Sequence, residues 1–279
     1  MIEVRGANAF VTGGASGIGF GIATALARRG ANVAIADIES ERALEAADRL
    51  VAEGLNASGL HLDVIDADQW AEAAEVAEHR WGGPIQLLFN NAGIGAGGTV
   101  HTVPQRTWDW VTAVNLTGVV NGVRTFAPRM LESGLASAIV NTGSEHSLGL
   151  PPSGRGGISA AYTSIKHAVM GYSLCMRRDF EGTNVQAGIV CPGLVATDIW
   201  NGFRNRQPAF GGPRHAPPER ARVMAHGLAP EIAGERIVEQ VEDGQFFIFT
   251  NGPDEAEVLE TFATEATAAM AAFRERYGV

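Results

Sequence analysis

Lysine is almost missing from this chain of 279 residues: Lys166 is the single one among 21 cationic side chains, and all the others are arginine. Cysteine is nearly as scarce. Two residues, Cys175 and Cys191, can neither staple a secreted scaffold nor complete a zinc site by themselves, so no metal is expected. Long apolar runs are lacking as well. Each hydrophobic stretch is broken within a few residues by Gly, Asn or a charge, and none can span a bilayer. Positive charge is in deficit: a formal net charge of −10 and a pI near 5.2 argue against nucleic acid or anionic lipid as partners. No basic, then apolar, then small-residue leader opens the sequence, which makes a reduced, cytoplasmic protein the expectation.

What the chain has in plenty is glycine, 35 residues, clustered rather than periodic. Its hydrophobic fraction of 46% suits a packed globule rather than a disordered chain. Short β-branched or apolar runs alternate with longer amphipathic stretches, which predicts a parallel sheet covered by helices. Strands are expected at 7–12, 32–37, 59–63, 85–90, 138–143, 185–190 and 245–250. Helices are expected at 18–29, 40–52, 67–80, 104–132 and 160–181. Right-handed crossovers between such units give an α/β fold: one Rossmann-like, doubly wound domain of about seven strands with helices on both faces. Two additions stand outside that pattern. Residues 198–227 are rich in Pro, Gly and Arg and read as a substrate lid. Residues 254–277 place Val258, Leu259, Phe262, Ala266, Ala269, Met270, Phe273 and Tyr277 at helical spacing, so a C-terminal amphipathic helix should pack on the body or on a partner subunit.

Three sites carry the chemistry. The stretch Gly13-Gly14-Ala15-Ser16-Gly17-Ile18-Gly19 lies between a strand and a helix. Glycines there tolerate positive φ and let the backbone approach a pyrophosphate, and the helix N-terminus offers free amides and a positive dipole end. Tight turns need glycine for structural reasons too, so this signal alone is weak, and a P-loop reading fails because no Gly-Lys-Ser/Thr follows. Asp37 strengthens it. Ending the second strand 18 residues after Gly19, its carboxylate can accept both ribose hydroxyls of an adenosine; the competing role is a cap for the helix that follows. A 2′-phosphate would be repelled, with no Arg or Lys adjacent in sequence to offset the charge, so NAD is favoured over NADP. The third site is Tyr162 with Lys166, four residues apart on one helix face. A free phenol, with pKa near ~10, is a poor acid or base at neutral pH. A nearby ammonium and an oxidised nicotinamide would both favour the phenolate.

With these residues the chain resembles the short-chain dehydrogenases/reductases. The resemblance runs through Thr12-Gly-x-x-x-Gly17-Ile-Gly19, Asp63-Val64, Asn90-Asn91-Ala92-Gly93, Asn115, Ser144, Tyr162-x-x-x-Lys166 and Pro192-Gly193-x-Val195-x-Thr197, in order over residues 7 to about 197. It implies catalytic roles for Asn115, Ser144, Tyr162 and Lys166. Cofactor contacts are implied at Gly13, Ser16, Gly17, Ile18, Gly19, Asp37, Asp63, Val64, Asn91, Ala92, Gly93, Pro192, Gly193, Val195 and Thr197. Asp63 would bond the adenine amino group, Asn115 would hold a water that links Lys166 to solvent, Ser144 would hold the substrate oxygen, and Thr197 the nicotinamide carboxamide. A homodimer or homotetramer paired through the helices of Asn115 and Tyr162 is implied as well.

The chain departs from the family pattern between Ser144 and Tyr162, where a Pro/Gly-rich insertion over 149–157 lengthens the gap to 18 residues. Ser147 is then a possible substitute for Ser144, although Ser144 lies directly beyond the fifth strand. His146 can line the substrate pocket or help move a proton, but a solvated loop residue is the favoured reading; Cys191 reads as a small buried apolar residue. The remaining sequence is similar to a branch that includes bacterial Cα-dehydrogenases of lignin-derived aryl ethers, which implies a bulky or aromatic secondary alcohol. Ile199, Trp200, Phe203, Phe210 and residues 94–100 are candidates for an apolar pocket. Two rivals remain: a non-catalytic NAD(H) sensor on the same fold, which needs no Tyr–Lys pair, and a Rossmann-like methyltransferase, which has no use for Asn90-Asn91-Ala92-Gly93.

Overall fold

The structure, a computed structural model, describes residues 2–151, 159–215 and 226–278. Seven strands form one parallel sheet in the order β3-β2-β1-β4-β5-β6-β7. They are β1 (Asn8–Thr12), β2 (Asn32–Asp37), β3 (Ala57–His61), β4 (Leu87–Asn90), β5 (Ser137–Thr142), β6 (Val185–Cys191) and β7 (Phe247–Phe249). β1 and β5 are buried along their whole length, and their centres, Ala9-Phe10-Val11 and Ala138-Ile139-Val140, are apolar without alternation. The chain winds outward from β1 to β3, then returns to β4 on the other side of β1. That reversal opens a crevice at the carboxyl ends of β1 and β4, the place where open α/β sheets bind ligands.

Helices cover both faces. On one face lie α1 (Gly17–Arg28), α2 (Ser40–Ala52) and α7 (Pro230–Glu242), burying Ile22, Leu26, Leu50, Ile237 and Val241. On the other lie α3 (Ala67–Trp81), α4 (Gln105–Thr112), α5 (Gly118–Ser133) and α6 (Ala160–Asp179). There Phe10, Trp70 and Phe126 meet with ring centroids 5.0 to 6.3 Å apart. α3 shows how local sequence sets the boundaries: the Asp66 carboxylate accepts from the amides of Asp68 and Gln69, and Gly82 ends the helix at φ +67°.

Two findings depart from the sequence expectation, the helix over 104–132 and the one after 229. The single long helix over 104–132 is α4 and α5 joined by a π turn, Ala113–Thr117. α7 was not expected at all; it crosses α1 at a glycine pair, where a Cβ on Gly234 would stand 2.1 Å from the Gly21 backbone. The C-terminal helix, α8 (Pro253–Tyr277), packs on the body through Glu255 and Val258, with Phe262 beside Gly149; from Leu259 onward its side chains are exposed among the described residues. Of the expected lid, Ile199–Asn205 and Pro208–Phe210 form short 3-10 turns, while residues 216–225 lie outside the described residues, as do 152–157 of the 149–157 insertion.

Candidate active site

The strand ends deliver the site. Ser144 follows β5, Pro192 follows β6, and Asp37 ends β2, while α6 carries Tyr162 and Lys166 beneath them. Tyr162 and Ser144 are hydrogen-bonded through their side chains. Ser147, the substitute considered for Ser144, is committed elsewhere: its hydroxyl donates to the Lys166 carbonyl at 2.8 Å and accepts from the Ser144 amide at 3.1 Å. The loop after β5 is thereby pinned to α6 at Ser147.

Electrostatics at Tyr162 differ from the sequence expectation. Burial pushes its phenol up to about 12; the Ser144 hydrogen bond works against that shift, and the Glu145 carboxylate adds to it. The Lys166 ammonium is not what sets it. Lys166 Nζ donates to the Thr142 carbonyl at 2.7 Å and stands 5.6 Å from the centre of the Tyr162 ring. Burial lowers the Lys166 amine to about 8. In this state the tyrosine is a neutral acid, not a ready base.

His146 is corrected too. It is buried, packs edge-on against the Tyr162 ring at 5.3 Å, and its Nδ1 bonds the Thr163 hydroxyl at 2.7 Å. Burial, assisted by the charges of His167 and Lys166, lowers it to about 4, so the imidazole is neutral at physiological pH. Asn115 lies fully buried inside the π turn. Its amide accepts from the Ile94 amide at 2.8 Å and donates to the Ile94 carbonyl at 2.9 Å. A Cβ built on Gly93 would sit 3.4 Å from Asn115 Oδ1 and 3.8 Å from Lys166 Nζ, so both polar groups border the same small space. Cys191 is fully buried, with burial raising its thiol to about 12.

Two cavities meet here. The larger is lined by Gly13, Ser16, Gly17, Ile18, Asp37, Asp63, Val64, Asn91, Ala92, Gly93, Tyr162, Lys166, Pro192 and Thr197 among others. The smaller has Ser144, Glu145, His146, Gly193, Val195, Ile199 and Trp200 in its wall. Gly193 and Val195 thus face the second cavity rather than the dinucleotide cleft. Gly19 lines neither: a Cβ there would fall 2.2 Å from the Gly13 carbonyl oxygen, so this glycine serves the packing of the turn. Phe203 and Phe210, expected in an apolar pocket, pack instead on the core around Trp110, with Phe203 5.1 Å from its ring.

The larger cleft fits a dinucleotide. Gly13 and Gly17 take φ of +60° and +55°, keeping side chains off the turn that borders it. The Ser16 side chain makes no capping bond and α1 has no acidic residue in its first turn, which leaves the helix N-terminus to an anion. Asp37 accepts from the amides of Ala15 and Glu39. Burial raises its carboxyl, with those two bonds opposing the shift. Sequence reasoning saw no cation near Asp37; the fold brings Arg204 into the same cavity wall, paired with Glu39. Glu145, buried beside Ser144, was not singled out either, because an acidic residue in a loop gives no sign of burial. Among the described residues no group of His, Cys, Asp or Glu could hold a metal ion, and no helix is long and apolar enough to cross a membrane.

Comparison with known proteins places this architecture. The family model for short chain dehydrogenases matches residues 7–208. A C alpha-dehydrogenase of Sphingobium sp. (strain NBRC 103272 / SYK-6) is 33% identical over 257 residues, 90% of this chain and 82% of that protein. The 1-deoxy-11-beta-hydroxypentalenate dehydrogenase of Streptomyces avermitilis is 30% identical over 263 residues, 94% of this chain and 90% of that protein. A short chain dehydrogenase/reductase from Burkholderia phymatum, crystallised in complex with NAD, superposes with a TM-score of 0.85 at 32% identity, over 92% of this chain and 93% of that one. The chain belongs to the short chain dehydrogenase family. It is an oxidoreductase acting on CH–OH groups, and the methyltransferase reading is set aside.

Proposed function

We propose that this enzyme interconverts a secondary alcohol and a ketone, with Tyr162 moving the proton at the substrate oxygen. NAD is the coenzyme. The observation that carries the reading is the meeting of the two cavities at Tyr162: Ile18, Pro192, Thr197 and Ile199 also line both, so a dinucleotide in one and a small molecule in the other would touch the same phenol. Ser144 stands on the substrate side, hydrogen-bonded to that phenol.

The residues lining the cleft would hold the coenzyme, which when bound would supply the hydride chemistry and, in its oxidised form, a positive ring that favours the phenolate. The residues do the rest. Tyr162, held neutral, donates its proton to a ketone oxygen that Ser144 also bonds. In the oxidising direction Tyr162 must first lose that proton, and Lys166 would pass it to solvent through a water held beside Asn115 in the space over Gly93. Asp37 takes the adenosine ribose, and Asp63 and Val64 the adenine. Trp200, Ile199 and His146 make the smaller cavity suited to a bulky or aromatic alcohol. The printed names of the C alpha-dehydrogenase and of the hydroxypentalenate dehydrogenase are in keeping with a large secondary alcohol. A sensor without catalysis would have no need to keep Tyr162, Ser144 and Lys166 together. Both cysteines are free thiols, in keeping with a reduced, cytoplasmic setting, and we place a homodimer or homotetramer in the same reading.

Replacing Tyr162 with Phe is expected to abolish NADH formation over a panel of aromatic secondary alcohols while NAD binding, followed by titration, changes little. Turnover at the parent rate would remove Tyr162 from the mechanism.

A further inference from the structure

Residues 199–210 were expected to cover the substrate. Their observed contacts point elsewhere, and we propose that this segment is a clasp over the adenosine half of the cofactor cleft, with Arg204 and Gln207 as cofactor-positioning residues. The proposal rests on the NAD reading above.

Each contact reaches across the cleft rather than along the chain. Arg204 donates through Nε and Nη2 to the two carboxylate oxygens of Glu39, at 3.1 and 2.5 Å, a two-pronged bond to the residue two beyond Asp37. Burial raises the Glu39 carboxyl, but the hydrogen bond and charge of Arg204 outweigh it and hold the group at about 2. Gln207 Nε2 donates to Asp63 Oδ2 at 2.7 Å, while its Oε1 accepts from Trp110 Nε1 at 3.1 Å, which fixes the orientation of the amide. One short segment is therefore tied to the ends of β2 and β3, the two strands that offer carboxylates to an adenosine. Between those bonds, Arg206 is buried; its guanidinium lies 5.0 Å from the Trp110 ring and donates to the Arg106 carbonyl at 2.9 Å and the Thr107 hydroxyl at 3.2 Å. That anchor seats the segment on α4. Gly202, Arg204, Asn205 and Gln207 then form one wall of the larger cavity, facing Asp37, Glu39 and Asp63.

The chemistry suits an adenine. Gln207 and Asp63 present an amide donor beside a carboxylate acceptor, and an adenine edge offers the converse: ring nitrogens that accept beside an amino group that donates. An adenosine in this cleft would lie beneath the Arg204–Glu39 bond, and its release requires that bond to part. The clasp acts on retention of the coenzyme, not on the hydride step.

The test is stopped-flow displacement and fluorescence titration of NADH with Arg204→Ala and, from the opposite side, Glu39→Gln, each checked by thermal melting to be folded. Both variants should release NADH faster and raise its Kd by about fivefold. The double variant should be no worse than either single one, because the two residues act as one bond. Affinity for ADP-ribose should fall in parallel, and affinity for reduced nicotinamide mononucleotide, which lacks the adenosine, should not change. Unaltered NADH release in both folded variants, or a rise in the KM of the alcohol alone, would overturn the clasp. Failure of the parent protein to bind NADH would instead overturn the cofactor reading beneath it.

Discussion

Lys166 is a cation that the fold holds at a cost. It is 3% exposed, its one hydrogen bond among the described residues goes to a backbone carbonyl, and burial lowers its amine from the ordinary 10.5 to about 8. The sign of the linkage follows. Between about 8 and 10.5 the unfolded chain binds a proton that the native one does not, so this residue makes stability rise with pH across that window. Below about 8 the full penalty of a buried ammonium is present. Lys166→Met should therefore melt higher than the parent at pH 7, by about 1–2 kcal/mol after allowing for the orphaned Thr142 carbonyl, and the gain should shrink as pH rises past 8. Melting curves at pH 7 and pH 10 check this, and a variant less stable at pH 7 would contradict it. The same variant should lose turnover, since stability and activity pull apart at such a site. Tyr162 gives the companion pH prediction. With its phenol pushed up to about 12, alcohol oxidation should accelerate with increasing pH, whereas ketone reduction should not; initial rates in both directions from pH 6 to 10 decide it.

Among elements, α7 shows a signal that sequence reasoning passed over. Ala233, Ile237, Val238 and Val241 are buried at helical spacing and Pro230 opens the first turn, yet Gly234 in the middle argues against a helix on propensity alone. The glycine is there because two backbones touch. A Cβ on Gly234 would come within 2.1 Å of Gly21, and one on Gly21 within 2.1 Å of the Pro230 carbonyl oxygen. Gly234→Ala should thus destabilise by about 2 kcal/mol or more, despite the better helix propensity of alanine, and lower the melting temperature by several degrees. A neutral effect would mean that α1 and α7 can slide apart freely. The seven strands and the helices α1, α2, α3 and α6 were legible because buried parallel strands read as apolar runs and the helices between them keep their period, whereas α4 and α5 read as one helix. The positions of Tyr162, Lys166, Ser144 and Asp37 were legible for a related reason: each sits directly at the end of a strand or on one helix face. What was not legible depends on contacts distant in sequence or on burial. The Arg204–Glu39 bond joins residues 165 apart, His146 is drawn inward by the Tyr162 ring, and the π turn around Asn115 leaves no mark in the spacing of apolar residues.

For the whole molecule, α8 is the feature that the body does not explain. Its first turn belongs to the site: the buried Glu255 carboxylate accepts from the amides of Gly193, Thr250 and Asn251 at 2.9 to 3.1 Å, which ties the turn after β6 to the end of β7. The rest projects into solvent with Leu259, Phe262, Met270, Phe273 and Tyr277 each 44 to 59% exposed. A lone helix of this length is marginal in water, so these side chains need a partner. The pattern suits an antiparallel second copy of the same helix. Phe262 would face Phe273, with Ala266 and Ala269 at the centre allowing close approach, and the acidic half with Glu257, Glu260 and Glu265 would lie along the end bearing Arg274 and Arg276. Phe262→Glu combined with Phe273→Glu should reduce the mass measured by light scattering to that of a smaller assembly. Turnover should persist in that variant, because Glu255 and Val258 still anchor the root of the helix. An unchanged mass would assign subunit pairing to α5 and α6 and leave α8 free of any role in assembly. Glu255→Ala separates the two ends of the helix: it should weaken the site by loosening Gly193 while leaving the distal apolar stripe, and hence the mass, as it was.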